Sequence, residues 1–232
     1  MGGQDGRVHP TVDLLVPIKP LAQAKTRLRG AADGGAGDRQ AHARLVLALA
    51  RDVLAAAAAA ATIGRLLAIT SDRDVAVALA TDGVATLPDE PDAGLNPALR
   101  HGERALRAAS PGNAVAVLQA DLAALRPEEL DTAVGLALAT APRAFCSDRA
   151  GTGTTLLVAG PGQPLDPRFG AGSAAAHRLA GAVELAGDWP GLRCDVDTPA
   201  DLATAVELGL GKRTRTVLAA RTGCTCRPDV CR

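Results

Sequence analysis

Three carboxylates in this chain of 232 residues end segments that have the composition of buried strands. Asp121 follows the apolar segment 114–120, and Asp195 and Asp197 end the segment 192–197. A spacing of two on a strand puts both side chains on one face. Converging carboxylates repel one another unless a cation joins them, and Mg²⁺ binds carboxylate, phosphate and water oxygens. Each Asp alone is as readily structural, with Asp197 as a helix cap, but the three together favour a magnesium site.

Three cations follow the first strand-like segment of the chain. Lys19, Lys25 and Arg27 fall within a single connection, directly after an apolar run that ends near residue 18. Ammonium and guanidinium groups bind phosphate oxygens, so this cluster suits a triphosphate. A solvated basic loop is the plain alternative.

Two glycine-containing segments have the composition of anion-binding loops. Residues 151–155 read Gly-Thr-Gly-Thr-Thr, and residues 168–173 read Arg-Phe-Gly-Ala-Gly-Ser. Small residues let an anion approach backbone N–H groups, and Ser173 is predicted to cap a helix whose N-terminus attracts phosphate or carboxylate. The structural alternatives are a hairpin turn in the first segment and a capped helix without a ligand in the second.

The elements that must position these residues alternate along the chain. Strands that alternate with helices predict βα units, an α/β fold and a mainly parallel sheet. Ligand sites in such sheets lie at the carboxyl ends of the strands, where the carboxylates fall. We predict strands at 12–18, 66–70, 84–87, 114–119, 142–146, 154–159 and 192–196, and helices at 38–61, 72–80, 96–109, 127–140, from 173, and at 198–208.

Composition limits the class of protein. The formal net charge is zero, so nothing in bulk indicates a nucleic-acid partner. The first residues are polar and no apolar run approaches the roughly 20 residues of a membrane span, so we expect no signal peptide, no membrane partner and a cytoplasmic location. The odd number of cysteines, 5 in all, fits reduced thiols better than a disulfide framework. The chain contains no P-loop, no dinucleotide-binding glycine motif after the first strand and no nucleophile elbow.

The composition also divides the chain into three parts. We predict a flexible N-terminus at 1–11, one catalytic domain at 12–211 and a basic tail at 212–232. The tail contains Cys224, Cys226 and Cys231, which lack an evident fourth metal ligand, so a disordered tail is favoured over a metal site.

Taken together, these motifs resemble those of the 2-phospho-L-lactate and phosphoenolpyruvate guanylyltransferases of coenzyme F-420 (deazaflavin) biosynthesis, relatives of the molybdenum-cofactor guanylyltransferases. The matching segments follow the family's order: 16–28, 94–99, 118–122, 148–155, 168–173 with His177, and 195–202. The resemblance implies a single-domain, three-layer, nucleotide-diphospho-sugar-transferase-like (Rossmann-like) fold. One departure is Ala123, where the family usually has Pro.

The resemblance also implies roles for individual residues. The metal ligands would be Asp121, Asp195 and Asp197, which with Lys25 form the catalytic set. The nucleotide-binding residues would be Lys19, Lys25 and Arg27 at the GTP phosphates and Asn96 near the nucleoside. The residues that bind the acceptor would be Thr154, Gly170 and Ser173.

The implied reaction transfers GMP from GTP to phosphoenolpyruvate, with Mg²⁺ as cofactor, and gives enolpyruvoyl-2-diphospho-5′-guanosine and pyrophosphate. The composition, rich in Ala, Arg and Gly, is typical of high-GC bacterial genomes, whose family members tend toward phosphoenolpyruvate. The alternatives are 2-phospho-L-lactate as acceptor, a molybdenum-cofactor or sugar-phosphate nucleotidyltransferase, and a nucleotide-binding regulatory module without catalysis. A homodimer is expected by resemblance alone.

Overall fold

The computed structural model describes residues 11–90 and 92–220 of the chain. The predicted flexible N-terminus therefore lies outside the described residues except for residue 11, as does the last part of the predicted tail, residues 221–232. The strands are β1 Val12–Pro17, β2 Ile63–Ile69, β3 Ala85–Leu87, β4 Ala114–Leu118, β5 Arg143–Ser147, β6 Thr154–Ala159 and β7 Val183–Glu184. The helices are α1 Arg39–Ala59, α2 Arg73–Thr81, α3 Leu95–Ala109, α4 Pro127–Thr140, α5 Ser173–Leu179, α6 Pro190–Arg193, α7 Pro199–Leu208 and α8 Lys212–Ala219, with a 3₁₀ turn at Thr26–Leu28.

The strands form one sheet in the order β3-β2-β1-β4-β6-β5-β7. β1 pairs in parallel with β2 and β4, β2 with β3, and β5 with β7. Within the described residues β6 alone runs antiparallel to its neighbours, because a short turn joins it directly to β5. The prediction of an α/β fold with a mainly parallel sheet is confirmed.

The central strands are buried on both faces, which explains their continuous apolar composition. Along β1, Leu14 and Val16 pack into the core on one face, with α1 and α4, while Leu15 packs on the other face, with α3. β4 alternates in the same way, since Ala116 and Val117 belong to opposite cores. Helices therefore cover both faces of the sheet, in three layers.

The N-terminus of α1 is fixed as the sequence predicts. The Asp38 carboxylate accepts a hydrogen bond of 2.7 Å from the Ala41 N–H, which satisfies one of the free donors of the first turn. The Ala-rich helix then carries Leu45, Val46 and Leu49 into the interior. This end of α1 lies at the carboxyl edge of the sheet, beside the loop that follows β1.

Two predictions about the end of the chain are wrong. Residues 192–196 do not form a strand: Pro190–Arg193 is the helical turn α6, and the residues after it are extended but unpaired in the sheet. The Glu129 carboxylate accepts hydrogen bonds from the N–H groups of Gly191 (3.1 Å) and Leu192 (2.9 Å), and so caps this turn from α4.

The second wrong prediction is that disorder begins at residue 212. Residues 212–219 form α8, which packs against α1 and contains the fully buried Thr214. The Asp52 carboxylate of α1 accepts hydrogen bonds from the N–H groups of Arg213 (3.0 Å) and Thr214 (2.8 Å). A carboxylate at a helix N-terminus satisfies its free donors and its dipole, so α8 belongs to the folded domain.

The described cysteines and helices bear on two further predictions. Cys146 and Cys194 are free and buried, as expected for reduced thiols. Across the described residues, no helix combines the length and apolar character that a membrane crossing requires.

Candidate active site

Two adjoining cavities open at the carboxyl edge of the sheet. The first, of about 240 Å³, lies between the connection after β1 and α1, and Lys19 and Lys25 contribute to its wall. The second, of about 290 Å³, lies over the 151–155 turn and the 168–173 loop. Asp121 and Asp197 line both cavities. Molecules bound in the two cavities would therefore meet at these carboxylates.

Asp121 reaches this junction from the end of β4, and Asp195 and Asp197 reach it from the extended segment before α7. The Val196 N–H donates a hydrogen bond of 3.0 Å to the Asp121 carbonyl oxygen, which ties this segment to the end of β4. Cys194 and Val196 are buried in the core beside α7, so Asp195 and Asp197 face the other way. The predicted alternation therefore holds, although the segment is not a strand.

The end of this segment is fixed by the cap of α7. The N-cap is Thr198 rather than Asp197: its hydroxyl accepts from the Asp201 N–H at 3.3 Å, and the Asp201 carboxylate accepts from the Thr198 N–H at 2.9 Å. This capping box leaves the Asp197 carboxylate free to face the cavities.

Lys25 joins two of the carboxylates. Its ammonium donates hydrogen bonds to Asp121 Oδ2 and Asp197 Oδ1. Burial lowers the pKa of Lys25, but the charges and hydrogen bonds of the two carboxylates outweigh burial and hold the pKa above its ordinary value. Lys25 has a left-handed backbone, with φ of 52°, a strained conformation that is often found at functional sites.

The other two predicted phosphate-binding cations are more exposed. Arg27 Nη2 lies 2.9 Å from Asp197 Oδ2, with 69% of its side chain exposed. Lys19 is exposed at the wall of the first cavity. Lys19 is therefore placed where a charged ligand in that cavity could reach it, and Arg27 lies beside the Asp197 carboxylate, which lines both cavities.

The third carboxylate is held at an electrostatic cost. Burial raises the pKa of the Asp195 carboxyl to about 6, and the negative charges of Asp121 and Asp148 contribute. Asp121 Oδ1 is buried without a hydrogen-bond partner among the described residues. The junction therefore holds excess negative charge and an unused oxygen, which suits a hard cation.

The carboxylates have the chemistry of a metal site, but their side chains are not arranged as one in this structure. In the part of the chain that the structure describes, no three or more His, Cys, Asp and Glu side chains are grouped as a metal site. The Lys25 ammonium lies between Asp121 and Asp197 and already neutralises part of their charge. Among the described residues Asp121 Oδ1 is unpaired, but both Asp197 oxygens are bonded, one to Lys25 and one to Arg27. A metal bound by the predicted trio would therefore have to share an Asp197 oxygen with one of these cations or displace it.

The 151–155 turn is organised by Asp148. Its carboxylate accepts hydrogen bonds of 2.8 Å from the N–H groups of Thr152 and Gly153, so these two donors are not free for a ligand. A Cβ atom on Gly153 would lie 2.4 Å from Asp148 Oδ2, which explains the glycine. Thr154 and Thr155, the next residues, line the second cavity.

The 168–173 loop faces Thr154 across the same cavity. Gly170 and Gly172 have positive φ, of 139° and 70°. Ser173 is not the predicted N-cap, because Gly172 occupies that position and Ser173 is the first helical residue of α5. The structure nevertheless brings Thr154, Gly170 and Ser173 to the wall of a single cavity, as the predicted acceptor site requires.

Asn96 contacts this loop through both atoms of its amide group. Nδ2 donates to the Phe169 carbonyl oxygen at 2.9 Å, and Oδ1 accepts from the Phe169 N–H at 2.8 Å. The structure therefore connects Asn96 with the acceptor side of the site rather than with the first cavity. Its predicted role near the nucleoside stays a prediction.

Two residues at the site were missed by sequence reasoning. Gln119 lines both cavities, and its Nε2 is buried without a partner among the described residues. The sequence pattern does not single out Gln119, although it lies in the 118–122 segment, two residues before Asp121. Residue types do not reveal the role of Asp148, because turn capping depends on backbone geometry.

Comparison with known proteins decides the family. No family model matches the chain. A protein of Geodermatophilus obscurus named phosphoenolpyruvate guanylyltransferase is 51% identical over 205 residues, which cover 88% of this chain and 93% of that protein. Proteins of the same name from Salinispora arenicola (87% and 90% covered) and Streptomyces coelicolor (89% and 95% covered) are each 50% identical.

The chain belongs to the phosphoenolpyruvate guanylyltransferase family. Solved structures add evidence on the fold. A Desulfovibrio desulfuricans protein assigned as a nucleotide-diphospho-sugar transferase superposes with a TM-score of 0.62 at 18% identity, covering 91% of this chain and 98% of that one. A nucleotidyl transferase from Methanothermobacter gives 0.56 at 16% identity, covering 85% and 97%. This member of the phosphoenolpyruvate guanylyltransferase family therefore has the predicted nucleotide-diphospho-sugar-transferase-like fold.

Proposed function

We propose that this chain transfers GMP from GTP to phosphoenolpyruvate, releasing pyrophosphate, in coenzyme F-420 biosynthesis. The observation that carries the proposal is the junction of two cavities at Asp121 and Asp197. It occurs in a chain that is 51% identical to a protein named phosphoenolpyruvate guanylyltransferase. A nucleotide in the first cavity and a small phosphorylated acid in the second would meet there. Both substrates are then small molecules.

The chemistry needs alignment more than proton transfer. An oxygen of the acceptor phosphate attacks the α-phosphorus of GTP, a new P–O bond forms, and the bond to the β-phosphate oxygen breaks as pyrophosphate leaves. The attacking oxygen is already an anion at neutral pH, so no general base is required. Holding both anions at one junction lowers the entropic part of the barrier.

Lys25, Lys19 and Arg27 supply the positive charge that this chain offers to the phosphates of the nucleotide. Lys25, at the junction itself, is best placed for the α-phosphate, while Lys19 stands further along the first cavity. Thr154, Gly170 and Ser173 line the cavity proposed for the acceptor.

We also propose that Asp121, Asp195 and Asp197 hold Mg²⁺ during the reaction. The excess negative charge around Asp195 and the unpaired Asp121 Oδ1 support this choice. When bound, the ion would neutralise charge on phosphate oxygens. The homodimer, the preference for guanine and the cytoplasmic location remain predictions.

Pyrophosphate release tests the proposal directly. The protein is incubated with GTP and Mg²⁺, with phosphoenolpyruvate in one reaction and 2-phospho-L-lactate in another, and GTP is replaced by ATP, CTP or UTP in parallel. We expect release that is fastest with GTP and phosphoenolpyruvate. Faster release with 2-phospho-L-lactate would change the acceptor. A folded protein that releases pyrophosphate with neither acid would overturn the function and favour a sugar-phosphate nucleotidyltransferase or a binding module.

A further inference from the structure

His177 lies behind the second cavity and touches two parts of its wall. His177 is 1% exposed. Thr154 and Phe169 line the second cavity, whereas His177 is not among the described residues that line it. Its Nδ1 lies 2.9 Å from Thr154 Oγ1, and its Nε2 lies 3.0 Å from the Arg168 backbone nitrogen. Both ring nitrogens therefore bond to segments that form the proposed acceptor site.

The two contacts determine which ring nitrogen carries the proton. A backbone N–H can only donate, so Nε2 must accept from Arg168 and carries no hydrogen. In a neutral imidazole the hydrogen is then on Nδ1, which donates to Thr154 Oγ1. A threonine hydroxyl has a single proton, and this one cannot point at a nitrogen that is itself donating. The Thr154 proton is therefore available to another acceptor, and Thr154 lines the cavity.

The surroundings keep the ring neutral and fixed. The pKa of His177 is lowered to about 4, mainly by burial; the charge of Asp166 opposes this shift, and the charges of Arg143 and Arg168 add to it. The Phe169 ring packs edge-on against the imidazole, with centroids 5.0 Å apart, and Phe145 packs at 5.8 Å. The ring therefore has little freedom to turn over and exchange its two contacts.

We propose that His177 is a positioning residue, which in its neutral Nδ1–H form holds the Thr154 hydroxyl as a hydrogen-bond donor toward an anionic oxygen of the acceptor. The ligand's identity rests on the proposed function. A hydroxyl whose proton is held away from His177 favours a ligand atom that accepts, such as a phosphate or carboxylate oxygen. His177 itself does not touch the substrate.

Two side chains of similar shape, Asn and Gln, can separate the roles of the two ring nitrogens. Asn places its amide nitrogen near the position of Nδ1, so His177→Asn keeps a donor for Thr154 and loses the acceptor for Arg168. Gln places its amide oxygen near the position of Nε2, so His177→Gln keeps that acceptor and loses the donor. We expect His177→Gln to raise the KM for phosphoenolpyruvate by ~10-fold, the effect of misplacing one hydrogen bond to a charged group. The KM for GTP and kcat should change less than about threefold. His177→Asn keeps the donor for Thr154 but loses the contact with the 168–173 loop, so it should raise the KM for phosphoenolpyruvate less than His177→Gln does.

A double variant tests whether the effect passes through Thr154. Thr154→Val removes the hydroxyl but keeps the shape, so adding His177→Gln to it should raise the KM no further. Independent, multiplying effects would overturn the inference, as would equal losses in the Asn and Gln variants, because both results point to packing alone.

The ring nitrogens provide a readout that needs no turnover. In the ¹⁵N NMR spectrum of the full chain at pH 7, the His177 signals, assigned by their loss in His177→Gln, should show a protonated Nδ1 and an unprotonated Nε2. A proton on Nε2 would overturn the inference whatever the activity. If the wild type released no pyrophosphate, the proposed function would fail, and binding of phosphoenolpyruvate to the wild type and His177→Gln would still show whether the donor matters.

Discussion

The second cavity is bounded by two regions with opposite electrostatic character. The charged junction consists of Lys25, Asp121, Asp195 and Asp197, where like charges are crowded and one carboxylate oxygen lacks a partner among the described residues. The neutral network around His177 consists of that imidazole, the Thr154 hydroxyl and the backbone of 168–169, and both of its ring nitrogens are paired. Crowded charge costs folding energy and can act on a substrate, whereas paired neutral groups stabilise the fold and set positions.

Replacing one carboxylate of the charged junction gives the largest expected effect. Asp195→Asn removes a carboxylate whose charge is opposed by burial and by its acidic neighbours. Turnover should fall by at least ~10²-fold, as for other groups that act electrostatically in a site. The melting temperature, measured in chelator, should stay the same or rise because the cost of burying the charge and the like-charge repulsion are both relieved. Asp188→Asn, an exposed position, is the matched control. Near-normal turnover in Asp195→Asn would remove Asp195 from the proposed metal site.

Removing the cation of the charged junction should lower stability, the opposite of the effect expected for Asp195→Asn. Lys25→Met leaves Asp121 and Asp197 facing each other without the ammonium that joins them. We expect turnover to fall by ~10-fold or more and the free energy of unfolding to fall by about 1–2 kcal/mol, as a partly buried charged hydrogen bond is lost. Chemical denaturation and pyrophosphate release measure the two effects. A more stable Lys25→Met would show that Lys25 adds to the strain of the junction instead of relieving it.

The charged junction was predictable from sequence because its residue types restrict its chemistry. A spacing of two between Asp195 and Asp197 survives in an extended segment whether or not that segment joins a sheet, so the side chains fall on one side as expected. The strand at 192–196 was wrong because Glu129, more than 60 positions away in the sequence, caps the turn at Pro190–Arg193. Contacts of this kind leave no local pattern.

The neutral network was not predictable for a related reason. The roles of His177 and Asn96 depend on which backbone groups they meet, and those groups lie in segments that are remote along the chain or folded back by a turn. α8 is a third case: its basic composition predicts a tail, but Asp52 of α1 caps it and Thr214 packs inside. Strands and helices with strong apolar patterns, such as β1 and α4, were placed within about a residue.

The two regions should affect the pH dependence of the free energy of unfolding in opposite ways. The folded pKa of His177, about 4, lies below the ordinary value of 6.5, so its contribution is complete above pH 6.5 and is lost as the pH falls toward 4. A pKa shift of this size corresponds to about 3 kcal/mol in the free energy of unfolding. Asp195 acts in reverse: its pKa, raised from 3.8 to about 6, makes protonation in this range favour the folded state.

The opposing titrations can be separated by substitution. In the Asp195→Asn background, the free energy of unfolding measured with urea should fall between pH 7 and pH 4 by about 3 kcal/mol more than in the Asp195→Asn, His177→Gln double variant. Taking the difference between these two proteins cancels the titration of other carboxylates. Equal pH dependence in both would mean that the imidazole takes up its proton in the folded protein with its ordinary pKa, contrary to the contacts of its Nε2.

The smallest expected effect concerns Asn96, which is joined to the neutral network through Phe169. Asn96→Ala removes both hydrogen bonds to the Phe169 backbone, so we expect the free energy of unfolding to fall by about 1–2 kcal/mol and the KM for phosphoenolpyruvate to rise a few-fold with kcat nearly unchanged. The matched control is Asn113→Ala: Asn113 Nδ2 donates to Asp13 Oδ1 at 3.3 Å beside the start of β4, away from the site. That variant should lose stability without a change in either KM. If Asn96→Ala instead raised the KM for GTP alone, Asn96 would serve the nucleotide, as the family resemblance implies, and the two sides of the site would be coupled through α3.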